Sequence, residues 1–232
     1  MQVVEALRWL KAHNFDLQIK PPYEIDDADT TLETILHIDR EEPGSPKKVS
    51  HAAALGSHLA TLPSLEVLDL FETRLGDQGV TALGPHLATF SSLQALGLGG
   101  SNIGDEGVKA LAPHLATLNA MTELCLDDNG IACTGVEALA PHLATLSSLM
   151  VLSLGCNGIC DCGAIALSAH LGTLPSLRDL NLSENTIGSR GAKSLVRSLT
   201  TLYEVHLCDN SIGLLTKARL CIRFPRLPRL YL

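Results

Sequence analysis

The chain has 232 residues, 46% hydrophobic and 18% charged, with a formal net charge of −8. That balance suits a folded chain with a large core and excludes an intrinsically disordered one. The negative charge argues against nucleic acid or an anionic membrane as partner and favours a basic protein surface.

Met1–Leu10 carries a charge every few residues, unlike a signal peptide, and no stretch reaches the ~18 continuous apolar residues of a membrane span, so a cytoplasmic location is expected. Seven cysteines, an odd number without a paired framework, fit a reducing compartment. Val3, Val4, Leu7 and Leu10 fit a short amphipathic helix, Phe15, Leu17 and Ile19 alternate as in a strand, and Leu32–Ile38 has the look of a degenerate repeat strand. Asp39–Lys48 is charged and broken by Pro43 and Pro46, which predicts a loop before a helical segment resumes at His51. Residues 1–49 therefore read as an N-terminal cap with a degenerate first repeat, and residues 50–232 as a solenoid.

The solenoid rests on self-similarity. An L-x-x-L-x-L opening recurs at Leu65–Leu70, Leu93–Leu98, Met121–Leu126, Leu149–Leu154, Leu177–Leu182, Leu202–Leu207 and Leu227–Leu232, at 28-residue steps and then two of 25. Alternating leucines predict a short strand with one buried face. Asn129, Asn157, Asn185 and Asn210 follow four of these strands, with Thr73 and Ser101 in the same column, and an amide there can satisfy the turn's backbone groups. Gly79, Gly107, Gly135, Gly163 and Gly191 mark the turn into the second half of the unit, with Asp77, Asp105, Asp161 and Ser189 as expected helix N-caps. The second half has helical spacing: Val108, Leu111, Leu115 and Leu118 share a face, and with Leu93, Leu96, Leu98 and Ile103 supply eight core positions per coil.

The pattern L-x-x-L-x-L-x-x-N-x-I-x-x-x-G-x-x-A-L resembles the leucine-rich repeats of the ribonuclease-inhibitor type, over roughly residues 50–232. The resemblance implies an α/β horseshoe, with parallel strands on the concave face, helices on the convex face, and protein partners bound by the concave surface. A bare last strand is an edge, so the chain is expected to be part of a longer repeat protein or to have Leu227–Leu232 covered.

"ALAPHLATL", at Ala110–Leu118 and Ala138–Leu146, falls on the helices. Pro85, Pro113 and Pro141 predict a kink or tighter turns. His58, His86, His114, His142 and His170 stand in register, but equivalent residues on packed helices lie ~8–10 Å apart, too far to share one metal ion. They read as half-buried residues bonded to a neighbouring coil. Cys133, Cys156, Cys160 and Cys162 cluster in matching turns without a standard zinc spacing and read as small packing residues, with Cys125, Cys208 and Cys221 isolated. No phosphate-binding loop, nucleophile elbow or zinc-protease motif occurs, and His206 with Cys208 and Asp209 lie too simply along one strand to suggest catalysis. No cofactor or metal is expected, and the chain reads as a non-enzyme.

Specificity then falls to the strand positions between the buried leucines. Across six strands these thirty positions hold ten acids, Glu66, Asp69, Glu72, Glu123, Asp127, Asp128, Asp179, Glu184, Glu204 and Asp209, against one base, Arg178. With Phe71, Tyr203 and Tyr231 as aromatic anchors, they form the expected partner-binding surface of a scaffold or inhibitor that takes a basic protein. The alternative is a regulatory repeat domain that acts on a GTPase or senses a ligand within a larger nucleotide-binding receptor.

Overall fold

Each leucine-patterned opening forms a strand, and each strand hydrogen-bonds to the next coil's copy of itself. The computed structural model describes residues 17–18, 34–38, 65–198, 202–223 and 229–232. The strands are β1 (Leu17–Gln18), β2 (Thr34–Ile38), β3 (Leu65–Asp69), β4 (Ala95–Gly97), β5 (Glu123–Cys125), β6 (Val151–Ser153), β7 (Asp179–Asn181), β8 (Glu204–His206) and β9 (Arg229–Tyr231). They form one sheet in chain order, antiparallel only between β1 and β2. The alternating helices are α1 (Gly76–Leu87), α2 (Asp105–Leu115), α3 (Cys133–Leu143), α4 (Asp161–Leu171), α5 (Ser189–Ser198) and α6 (Leu214–Arg223). From β3 to β7 the register advances by whole 28-residue units, pairing Leu68 with Leu96, Leu124, Leu152 and Leu180 in turn, and then continues to Val205 and Leu230. The first of the two shorter units loses its residues in the helical arm, because Asn210 still donates to Leu182 O (2.8 Å) and Ser189 still accepts from Gly213 N (3.1 Å).

The core lies between sheet and helices. The eight positions expected in the second unit, Leu93, Leu96, Leu98, Ile103, Val108, Leu111, Leu115 and Leu118, are all fully buried. At ~1.5–3 kcal/mol per aliphatic side chain, an upper bound, this burial depends on a neighbouring coil to cover it. Among the described residues no helix is long and apolar enough to cross a membrane. The helix expected around Val3–Leu10, the loop at Asp39–Lys48 and His58 lie outside the described residues.

The asparagine column works in both directions along the stack. Asn129 donates through Nδ2 to Leu126 O (3.1 Å) in its own coil and to Leu98 O (2.9 Å) in the coil before, while its Oδ1 accepts from Ile103 N (2.9 Å). Ser101 takes over part of this role one coil earlier, where its hydroxyl donates to Leu70 O (2.9 Å).

Four sequence expectations need correction. Asp77, Asp105, Asp161 and Ser189 sit inside the first turn of their own helices and cap the next coil's helix instead: Asp77 Oδ1 accepts from Gly104 N (2.7 Å) and Gly107 N (3.0 Å), and Asp161 Oδ1 from Gly188 N (2.8 Å) and Gly191 N (2.7 Å). The glycine column marks close approach rather than a turn. Gly107 lies within its helix, and a Cβ there would come 2.9 Å from the Asp77 Cα of the preceding coil.

Pro85, Pro113 and Pro141 do not break their helices, which run two residues further and then close in three-residue turns such as Leu118 N to Leu115 O (2.9 Å). Helix α4 has no proline yet ends the same way, with Leu174 N bonded to Leu171 O (3.1 Å), so proline is not the cause. The histidines from His86 to His170 are half-buried as expected, but no imidazole of this column bonds a neighbouring coil among the described residues. The His114 ring instead packs over Gly84 of the coil before, and the repeated threonines donate to the histidine carbonyls, Thr117 Oγ1 to His114 O at 2.7 Å.

Candidate functional site

The inner face of the sheet is built by columns of side chains in direct register. One column runs Val67, Ala95, Glu123, Val151, Asp179, Glu204, Arg229; a second runs Asp69, Gly97, Cys125, Ser153, Asn181, His206, Tyr231. Period-two alternation turns both columns away from the buried leucines. Just beyond the strands a third column, Glu72, Gly100, Asp128, Cys156, Glu184 and Asp209, adopts left-handed backbone with φ between 49° and 63°. Gly100 adopts that region without strain and Asp128 and Asp209 are residues enriched there, whereas Glu72, Cys156 and Glu184 are held in it against their own preference.

The acids differ in what they do. Asp127 is part of the framework: its carboxylate accepts from Ser153 Oγ (2.7 Å), from Gly155 N and from Cys125 Sγ (3.2 Å). Asn181 extends this network, donating to Ser153 Oγ (3.0 Å) and accepting from Ser183 N (3.0 Å). Asp69 accepts from Phe71 N (3.1 Å) at the start of the stack. Glu66 is half-buried, whereas Glu72, Glu123, Asp128, Glu184 and Asp209 are exposed.

Two shallow hollows of about 240 Å³ each open near the first strands. One is lined by Val67, Asp69, Phe71, Ala95, Gly97, Glu123 and Cys125, the other by Glu72, Arg74, Gly100, Asn102 and Asp128. Ala95 and Gly97 clear the first, and Phe71, 47% exposed, forms its wall.

At the other end the side chains meet closely. Glu204 contacts His206 Nε2 (3.1 Å) through Oε1 and Arg229 (3.3 Å) through Oε2. The Arg229 guanidinium lies 5.3 Å from the Tyr203 ring, and His206 stacks on Tyr231 at 4.6 Å with an interplanar angle of 8°. Asp179, beside Glu204 in the register, is pushed up from the usual carboxylate range by burial, partly offset by His206 and reinforced by Glu204.

The cysteines do not form one cluster. Cys133 and Cys160, at matching places on adjacent coils with Cα atoms 6.1 Å apart, are disulfide-bonded, so the reading of these two as packing residues is corrected; Cys125, Cys156, Cys162, Cys208 and Cys221 are free. Cys133 occupies the column of Asp105 and Asp161, where the repeat brings each side chain to the next helix start, which aligned sequence columns alone do not reveal. Burial pushes the Cys125 thiol up to about 12, and burial with the Glu184 carboxylate pushes Cys156 up to about 11, so neither is a thiolate at neutral pH.

Arg229 and Met150, the latter 46% exposed, also belong to this face. Neither carries a signal of its own in the sequence: Arg229 is a base on a face marked by its acids, and Met150 is one apolar residue in the apolar run Leu149–Leu152.

A family model described as "Leucine Rich repeat" matches residues 61–84, 91–112, 145–168 and 173–196. No curated protein matches the chain in sequence. Among solved structures, actin-binding site 2 of leiomodin-1 is 13% identical over 68% of this chain and 89% of its own, with a TM-score of 0.49. Internalin C2 from Listeria monocytogenes is 22% identical over 80% of this chain and 89% of its own, with a TM-score of 0.44. The matched repeats, together with parallel strands alternating with helices at a 28-residue step, make this chain an α/β leucine-rich repeat solenoid.

Proposed function

We propose that the chain is a non-catalytic interaction module of ribonuclease-inhibitor-like type, a scaffold or inhibitor that holds a basic protein surface on its acidic inner face. The observation that carries this is the exposed acidic rim Glu72, Asp128, Glu184 and Asp209, which holds four of the six left-handed positions in register, with Glu123 beside it. Phe71, Tyr203 and Tyr231, each more than two-fifths exposed, stand at the two ends as anchors. A wall of one sign focuses potential and steers a complementary partner, while the aromatic side chains supply the desolvated contacts. Asp179 and Glu204 contribute within the face; Asp127 and Asp69 shape it through their hydrogen bonds. Residues 1–49 serve as the cap of the first coil in this reading, supported by β2 pairing with β3.

The test neutralises the rim without reshaping it. Asp128→Asn, Glu184→Gln and Asp209→Asn together keep side-chain size, and Asn also suits left-handed backbone. Affinity capture from the native cell at low and high salt should recover a basic protein with the native chain at low salt only, and the triple variant should lose it. Capture that is indifferent to salt and to the three substitutions refutes the reading. Should a GTPase be recovered, its hydrolysis rate with and without the chain separates holding from regulation.

A further inference from the structure

Strands β7 and β8 place Asp179 and Glu204 directly beside each other. Neighbouring strands are ~4.8 Å apart, and like charges in direct register repel. Two residues further along β8 the chain returns His206 to the same face. The candidate donor atoms of the three side chains all lie within 4.8 Å of one another, and all three residues are half-buried.

The neighbours of this cluster prepare it unevenly. Glu204 is engaged by His206 and Arg229, and the stack on Tyr231 fixes the imidazole plane. The Asp179 carboxylate forms no hydrogen bond or ion pair among the described residues, although it is half-buried and faces a second carboxylate. His206 and Arg229 both engage Glu204, and among the described residues no cationic side chain forms an ion pair with Asp179.

We infer that Asp179, Glu204 and His206 form a binding site for a divalent transition-metal ion, of the zinc or manganese class. An ion bound at ~2.0–2.2 Å needs its donors no more than about 4.4 Å apart, so rotation of these side chains from their present spacing is enough. One imidazole nitrogen with two carboxylate oxygens is a borderline donor set that suits Zn²⁺ and Mn²⁺ and disfavours Ca²⁺, which takes oxygen alone. Three protein donors leave further coordination positions for water or for a ligand on the inner face. This inference stands apart from the proposed partner, since its test contains none.

The test is Mn²⁺ titration of the full chain, followed by paramagnetic broadening of assigned NMR signals; Mn²⁺ is chosen because the five free thiols compete poorly for it. Signals of His206, Tyr203 and Tyr231 should broaden first, and added Zn²⁺ should reverse the effect. His206→Ala and Asp179→Asn should each weaken binding at least tenfold. Arg229→Gln should strengthen it, because it releases a Glu204 oxygen and removes a nearby positive charge, an effect that a merely structural role does not give. Broadening centred elsewhere, or no saturation below 1 mM, overturns the inference. If a variant does not fold, the pattern in the native chain decides alone. Displacement of bound Mn²⁺ by millimolar Zn²⁺ but equally by millimolar methylguanidinium also overturns it, since the cluster would then be a receptor for an organic cation.

Discussion

Replacing Asn185 by alanine isolates one backbone amide. Asn185 is 6% exposed; its Nδ2 donates to Leu154 O (2.9 Å), Leu182 O (3.2 Å) and Ser183 O (3.0 Å), and its Oδ1 accepts from Ile159 N (2.9 Å). The three carbonyls each keep another donor after the change: Asn157 Nδ2 for Leu154, Asn210 Nδ2 for Leu182 and Cys156 N for Ser183. The Ile159 N–H does not, and Ile159 is fully buried. An orphaned buried donor costs about 1–3 kcal/mol, and the weakened carbonyl partners add roughly 1 kcal/mol, so a loss of about 2–4 kcal/mol is expected. Urea unfolding followed by circular dichroism measures the total, and hydrogen exchange at the Ile159 amide locates it. An Ile159 amide as protected as in the native chain, or a loss under about 0.5 kcal/mol, refutes the reasoning that the asparagine serves the coil before it.

Asp161→Ala removes both bonds to the start of helix α5, and a loss of about 0.5–2 kcal/mol is expected in the same assay, with Asp161→Asn costing less because the acceptor oxygen remains. In Gly191→Ala the new Cβ meets Asp161 Oδ1 at 2.7 Å and Ala164 Cβ at 2.9 Å; overpacking of about 1–3 kcal/mol should outweigh the roughly 1 kcal/mol that alanine gains as a helix former, so the melting temperature falls. Alkylation of Cys125 by iodoacetamide, read by peptide mass spectrometry, should be negligible at pH 8 and climb about tenfold per pH unit up to about 12, because burial favours the protonated thiol and only the thiolate reacts. A plateau near pH 9 contradicts the burial.

The strands, helices and core of the repeats were legible because they follow from periodicity: leucines at period two face the core, and Val108, Leu111, Leu115 and Leu118 at period three to four cover them. Strand character at Leu17 and at Thr34–Ile38 was also legible from alternation and from likeness to the later units. The polar roles were not, because they run between coils. Asp77 precedes a glycine in sequence and so resembles a cap of its own helix, yet its partners are Gly104 and Gly107. Nor does any local signal distinguish Asp127, bound into the framework, from Asp128 next to it, exposed on the rim. The meeting of Asp179 with Glu204 and His206 was hidden for a simpler reason: each was noted in its own strand, and only the register sets them side by side.

The two polar columns point in opposite directions. Asparagines reach back to finish the turn of the coil before, and acids reach forward to finish the helix start of the coil after. An inner rung is therefore complete only when flanked on both sides by rungs of compatible phase, which makes a rung the natural unit of gain or loss for such a protein. Duplicating a whole rung keeps every donor supplied, whereas inserting a single residue between the strand and the helix start puts both columns out of step at once. The near-verbatim copies of one nine-residue phrase fit a chain that lengthens by copying rungs.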